Sequence, residues 1–163
     1  MPEREALRHI LDTARKDLGV REVPGKKSHP LIVGWLFRFA RNVKTAWILR
    51  KGDDIAWCAV FVSAVLDECG YRGTDHALAR SYVSWGKPSK PIPGCVVVLR
   101  RKGKPGADRA TGSRAGYHVA FLEHYGKRNI RCIGGNQRNR VSSVAYSRRL
   151  YEVVGQFRMP AEL

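Results

Sequence analysis

Apolar residues recur at helical spacing through the first half of the chain. Near the N-terminus they lie one, three or four positions apart and predict a helix over residues 3–18. A proline followed by apolar residues predicts a second helix over 30–39, and a long apolar run predicts a third, largely buried helix over 56–69. A shorter fourth helix is expected over 75–85.

The second half of the chain has the composition of short β-strands. Four runs are rich in β-branched or aromatic residues and are bounded by Gly, Asn and charged residues, namely 95–99, 117–122, 129–133 and 151–157. The stretch 102–115 is too polar to pack and is expected to be an exposed loop. Because helices come first and strands second, the sequence predicts an α+β domain with N-terminal helices packed on one C-terminal antiparallel sheet.

Length and composition fit one globular domain. The chain has 163 residues, 44% of them hydrophobic and 27% charged, which argues against a disordered or fibrous protein. The longest nearly uninterrupted apolar stretch, 56–66, is shorter than the roughly 18 residues that a membrane-spanning helix needs. We therefore expect a single monomeric domain over residues 1–163, with no transmembrane segment.

The chain is strongly basic. Its 30 Lys and Arg against 14 Asp and Glu give a formal net charge of +16 and a pI of about 10.3. Such a charge attracts polyanions, either nucleic acid or the phosphate-rich polymers of a bacterial envelope. The basic residues are spread along the chain, and no helix-turn-helix, zinc-finger or RNA-recognition motif is visible, so specific nucleic-acid binding is not expected.

Cys58 is the candidate nucleophile. It stands where a polar break, 51–54, leads into the third predicted helix, and backbone N–H groups at a helix start lower the pKa of a thiol. The alternative is that a Cys among Ala, Val and Phe is a small buried hydrophobic residue. Packing roles are expected for the other three cysteines, Cys69, Cys95 and Cys132. No Cys-x-x-Cys spacing is present, and no metal is expected.

His118 and the amides after the third strand are candidate partners of that thiol. His118 lies inside a predicted strand beside Gly116, where a rigid element can hold a general base. In the stretch 134–137, two glycines allow close backbone approach and a side-chain amide can hold an imidazole in one tautomer. The structural alternatives are a half-buried histidine and a Gly/Asn β-turn. Thiol, imidazole and amide occur here in the chain order of papain-like nucleophile, base and orienting residue.

Four ordered segments resemble the CHAP (cysteine, histidine-dependent amidohydrolase/peptidase) domains and related NlpC-type hydrolases, particularly small phage and prophage lysins. The resemblance rests on 56–62 (AWCAVFV), 93–99 (PGCVVVL), 116–121 (GYHVAF) and 133–137 (IGGNQ), and 19–25 is similar to the family's lead-in. It implies a papain-like fold and hydrolysis of peptidoglycan amide bonds through a thioester. The enzyme would be an endopeptidase or an N-acetylmuramoyl-L-alanine amidase.

The resemblance also implies the site residues. Cys58 matches the nucleophile, His118 the base and Asn136 the polar orienting residue, with no cofactor and no metal. Relatives often carry an acidic residue around position 134 and an Asp at the position of Cys95. Because this chain has Gly134, the orienting role is expected to fall to Asn136 alone. Further candidates for substrate contact are Trp57, Trp85, Tyr117 and Gln137, with core packing as the alternative for the aromatic residues.

The implied setting is the bacterial envelope. The N-terminus has no signal-peptide pattern, so the protein would be made in the cytoplasm and would reach the periplasm or cell wall by holin-type release or another route. The resemblance covers most of the chain, so no separate cell-wall-binding domain is expected, and the positive charge would hold the enzyme on anionic envelope polymers. A contact-delivered amidase toxin, a virion-associated lysin, a non-catalytic papain-like module and a basic nucleic-acid-binding module are the alternatives.

Overall fold

Helices form the first part of the chain and strands the second. The structure, a computed structural model, describes residues 2–24, 27–52, 55–103 and 116–163. The helical elements are α1 (Pro2–Arg15), α2 (Pro30–Phe39), α3 (Thr45–Lys51), α4 (Cys58–Glu68) and a 3-10 helix (Ala79–Ser84). The strands are β1 (Lys87–Pro88), β2 (Val96–Arg101), β3 (Tyr117–Tyr125), β4 (Asn129–Gly134), β5 (Ser142–Ser147), β6 (Tyr151–Val153) and β7 (Arg158–Met159).

The strands form one antiparallel sheet. Its order is β1-β7-β2-β3-β4-β5, and β6 also pairs with β2. The β2–β3 register runs from Val96 opposite Phe121 to Arg100 opposite Tyr117, so β2 pairs with β3 back to its first residue. The β3–β4 register begins only at Phe121 opposite Ile133. The start of β3 therefore lies beyond the end of β4.

α4 is the central helix because its sequence is apolar on nearly every side. Residues 58–63, Val65 and Leu66 are all buried. The helix packs on β3, where the ring edge of Phe61 meets Phe121 at a centroid distance of 6.2 Å. α1 and α2 pack against α4 in turn. This layer of helices on a sheet holds the start of α4 against β3.

The predicted α+β layout is confirmed, with changes in individual elements. The first helix ends at Arg15 rather than at residue 18, and the helix expected over 75–85 is a 3-10 helix from Ala79, since Asp75 takes a left-handed backbone conformation. The strand expected over 151–157 stops at Val153, and Gly155 has a positive φ of 70°.

Several elements were not expected, and some predictions lie outside the described residues. The helix α3 and the strands β1, β5 and β7 were missed. Of the loop expected over 102–115, residues 104–115 lie outside the described residues, as do residues 53–54 of the polar break before α4. Within the described part of the chain, no helix is both long and apolar enough to cross a bilayer.

Candidate active site

Cys58 is the first residue of α4 and is 4% exposed. Burial raises the pKa of its thiol, because the thiolate loses its hydration. The backbone N–H groups of Val119, Ala59 and Cys58 itself oppose that shift by stabilising the thiolate. The expected lowering of this pKa is therefore wrong, since desolvation outweighs the N–H groups at the helix start. Burial therefore favours the neutral thiol of Cys58, while the surrounding N–H donors favour its anion.

The strand β3 passes beside this thiol and carries His118. Val119, whose N–H acts on the thiol, directly follows His118 on β3. His118 is fully buried and lies opposite Leu99 of β2. Because β2 pairs along this part of β3, the histidine stands on a fixed backbone. The candidate nucleophile and the candidate base thus come from the start of α4 and the start of β3.

Gln137 is a hydrogen-bond partner of His118. Its Oε1 lies 2.9 Å from Nε2 of the imidazole. On its other side, the carboxamide Nε2 donates to the carbonyl oxygen of Ser142 at 2.7 Å and to that of Cys132 at 3.4 Å. Oε1 also accepts a hydrogen bond from the Tyr146 hydroxyl at 2.8 Å. All of these contacts are satisfied only when the oxygen of the amide faces the imidazole.

The orientation of that amide determines the tautomer of the histidine. An amide oxygen is an acceptor only, so Nε2 of His118 must be the donor. A neutral imidazole protonated at Nε2 carries its lone pair on Nδ1, and Nδ1 is then the nitrogen able to take a proton. The ring of Tyr146 packs near the imidazole at a centroid distance of 5.8 Å and holds it further. The network therefore prepares His118 to act as a base through Nδ1.

Gly134 leaves the space that the Gln137 carboxamide occupies. A Cβ at position 134 would lie 2.8 Å from Oε1 and 3.0 Å from Cδ of Gln137, and 3.0 Å from Cβ of Ala120. Contacts of that length are not tolerated without movement. An orienting side chain on β4 at position 134 and the observed placement of Gln137 are therefore mutually exclusive.

The turn between β4 and β5 positions Gln137 next to His118. Asn136, Arg138 and Asn139 all have positive φ values near 60°, which is uncommon for residues other than glycine. Gly135 lies directly against the start of α4, since a Cβ there would be 2.7 Å from Cβ of Phe61 and 2.8 Å from the Trp57 ring. Tight packing and local strain in one short turn are typical of functional sites.

The hydrogen bond to His118 that was predicted for Asn136 is made by its neighbour Gln137. Asn136 is 4% exposed, and its Oδ1 has no hydrogen-bond partner among the described residues. The amide bonded to His118 belongs instead to Gln137, for which substrate contact was expected. The side chain of Gln137 is fully buried and its polar atoms bind within the protein, and substrate contact stays a prediction for it. The sequence indicates that a side-chain amide follows β4. The geometry of the turn determines which of the two amides reaches His118.

The three aromatic candidates for substrate contact differ in exposure. Trp57 is fully buried, donates from Nε1 to Glu22 at 2.9 Å and packs beside Trp35, which favours the core-packing alternative for this residue. Trp85 is half-buried and donates from Nε1 to the carbonyl oxygen of Arg72. Tyr117 is also half-buried and adjoins His118, which leaves it as a prediction for substrate contact.

Metal ligands and relatives add no further assignment. Within the described ranges, no group of three or more His, Cys, Asp or Glu side chains is placed to hold a metal ion. The chain matches no protein-family model and no curated protein at a significant level. The chemistry of the site therefore has to be argued from Cys58, His118 and Gln137 themselves.

Proposed function

We propose that the protein is a papain-like cysteine hydrolase that cleaves amide bonds in bacterial peptidoglycan. The observation that carries this proposal is the 2.9 Å contact between His118 and Gln137, on a strand whose next residue, Val119, sets its backbone N–H against the thiol of Cys58. Nucleophile, base and orienting residue are the parts that amide hydrolysis through a thioester requires.

The raised pKa of Cys58 determines how the first step proceeds. Because the resting thiol is protonated, its proton passes to Nδ1 of His118 as Sγ bonds to the scissile carbonyl carbon. The backbone N–H of Cys58 at the start of α4 stabilises the negative oxygen that forms. In this proposal the thiolate–imidazolium pair forms during the reaction.

The remaining steps return the enzyme to its resting state. His118 donates the proton from Nδ1 to the leaving amine, the carbon–nitrogen bond breaks, and a thioester to Cys58 remains. Water then attacks the thioester while Nδ1 of His118 accepts its proton. The carbon–sulfur bond breaks, the carboxylic acid product leaves, and His118 returns the proton to Sγ of Cys58. Throughout, Gln137 keeps the Nε2 proton in place and acts as a positioning residue.

Asn136 stays a prediction for this site. Its side-chain oxygen is buried and has no hydrogen-bond partner among the described residues, and the residue lies between Gly135, which packs on the start of α4, and Gln137, which binds the base.

The positive charge of the protein supports peptidoglycan and the anionic polymers around it as the target. Arg138 and Arg140 are exposed on the same turn that carries Asn136 and Gln137, and the whole chain carries +16. Basic groups beside the site favour an anionic, carboxylate-bearing stem peptide and the anionic polymers around it. Together with the resemblance to CHAP and NlpC-type lysins, this supports action at the bacterial envelope after release from the cytoplasm.

The test is a digest of purified peptidoglycan analysed by mass spectrometry. The wild-type protein should release fragments with new amino and carboxyl ends at one type of amide bond, which also distinguishes amidase from endopeptidase. The His118→Ala protein serves as the matched control and should release none. Sacculi left intact by folded wild-type protein, or the same fragments from both proteins, would contradict the proposal.

A further inference from the structure

The short helix α3 carries an exposed surface that the proposed hydrolase site does not use. Only Ile48 of its seven residues is buried. Trp47 is 45% exposed and Leu49 is 73% exposed, the largest exposure among the large hydrophobic residues that the structure describes. Large apolar side chains are normally placed inside, so a helix that directs two of them to solvent needs another explanation.

Cations surround these apolar side chains. The guanidinium of Arg50 and the ammonium of Lys51 lie 4.8 Å and 5.4 Å from the Trp47 ring, and Lys44 precedes the helix. We call Lys44, Trp47, Leu49, Arg50 and Lys51 the α3 surface. The ion pairs in the described part of the chain involve other basic residues and not Lys44, Arg50 or Lys51.

The surrounding sequence strengthens the positive field. The stretch 27–52 contains no Asp or Glu and six Lys or Arg. Two exposed apolar residues of α2, Leu31 and Phe37, belong to the same stretch, and α2 packs against α3. Four of the seven exposed large hydrophobic residues in the described ranges thus come from an acid-free, basic segment.

We propose that the α3 surface docks on the interface of an anionic phospholipid bilayer. Trp and Leu flanked by Lys and Arg are the side chains that interfacial helices place among lipid headgroups. The positive charge complements anionic headgroups, whereas a second copy of this chain would bring like charges together. Soluble phosphate polymers would pair with the cations but would gain nothing from Leu49. This proposal does not depend on the hydrolase activity.

The test measures binding to vesicles, using Cys58→Ala protein so that no catalysis intervenes. Vesicles of phosphatidylglycerol and phosphatidylcholine should co-sediment the protein at about 0.1 M salt and shift Trp fluorescence to the blue, while pure phosphatidylcholine should do neither. Arg50→Gln with Lys51→Gln should weaken binding about 10- to 30-fold, since each cation near an anionic surface contributes about a factor of five. Leu49→Ser should weaken it about fivefold through lost apolar contact.

Matched controls change the same chemistry elsewhere on the surface. Lys127→Gln with Arg128→Gln removes one Lys and one Arg charge from the exposed turn between β3 and β4, and Leu150→Ser removes a leucine that is 46% exposed in another part of the chain. Both should bind anionic vesicles within about twofold of the parent. Absence of binding to the anionic vesicles, or equal losses in the control and α3 variants, would overturn the proposal. A concentration-dependent dimer that Leu49→Ser abolishes would overturn it in favour of self-association.

Discussion

Replacing Gln137 by Leu tests whether this residue positions the base. The substitution keeps a side chain of similar size and removes both polar atoms. His118 Nε2 and the Tyr146 hydroxyl lose the acceptor at 2.9 and 2.8 Å, and the Ser142 carbonyl loses the donor at 2.7 Å. At about 1 kcal/mol for each hydrogen bond, the free energy of unfolding should fall by about 3 kcal/mol.

The effect on activity follows from the tautomer of His118. Without an acceptor at Nε2, the proton is free to move to Nδ1, and molecules in that form cannot take the proton of Cys58. The rate of peptidoglycan hydrolysis should fall in proportion to the loss of the Nε2–H form, about 2- to 10-fold for a mixture of the two tautomers. Nitrogen-15 NMR of the histidines measures the tautomer directly and should show Nε2–H in the wild-type protein and a mixture in Gln137→Leu.

Gln137→Glu is the matched control for this experiment. It keeps an oxygen acceptor toward His118 but sets an oxygen against the Ser142 carbonyl, so it should be destabilised like Gln137→Leu and yet retain more activity. If folded Gln137→Leu hydrolyses peptidoglycan at the wild-type rate with an unchanged tautomer, Gln137 is not the positioning residue.

Three further predictions concern stability and the role of charge. Burial raises the pKa of the Cys95 thiol from 9.0 to about 12, so this thiol ionises in the unfolded chain before it ionises in the folded protein as pH rises. It alone should lower the free energy of unfolding by about 2 kcal/mol between pH 9 and 11. In urea denaturation at a series of pH values, the free energy of unfolding of Cys95→Ala should therefore fall less with pH than that of the wild-type protein. Gly135→Ala should cost about 1–3 kcal/mol, because its Cβ would meet Phe61 and Trp57, whereas Gly34→Ala, with open space around it, should be neutral or stabilising in the same denaturation assay. Lysis of whole walls should fall steeply as salt rises while hydrolysis of a soluble muropeptide changes little, and equal salt dependence for the two substrates would exclude a tethering role for the charge.

Sequence patterns predicted best those elements whose residues are nearly all buried, because such elements have a continuous apolar run. α4 is buried on nearly every side, so its continuous apolar run marked it clearly. In α3, by contrast, Ile48 alone is buried while Trp47 and Leu49 face solvent, so the periodicity of a packed helix is absent. In β5, three serines and one alanine among six residues give little strand signal. Its place is determined by pairing with β4.

The sequence predicted a thiol, an imidazole and a side-chain amide for the candidate site, but it did not identify which amide lies beside the imidazole. Cys58 and His118 follow from their places at the starts of α4 and β3, which sequence motifs mark. The choice between Asn136 and Gln137 depends on positive φ values in the turn and on the space left by Gly134, neither of which spacing reveals. The direction of the Cys58 pKa shift depends on its burial against β3, which is a property of tertiary packing.

The most direct test of the central claim compares two cysteines at opposite ends of α4. Cys58 begins the helix, and Cys69 directly follows its last residue, where its thiol donates to the Thr13 hydroxyl. Release of soluble fragments from dye-labelled sacculi should be abolished in Cys58→Ala and should remain near the wild-type rate in Cys69→Ala, with both proteins folded. Release at the wild-type rate by folded Cys58→Ala would contradict the assignment of Cys58 as the nucleophile.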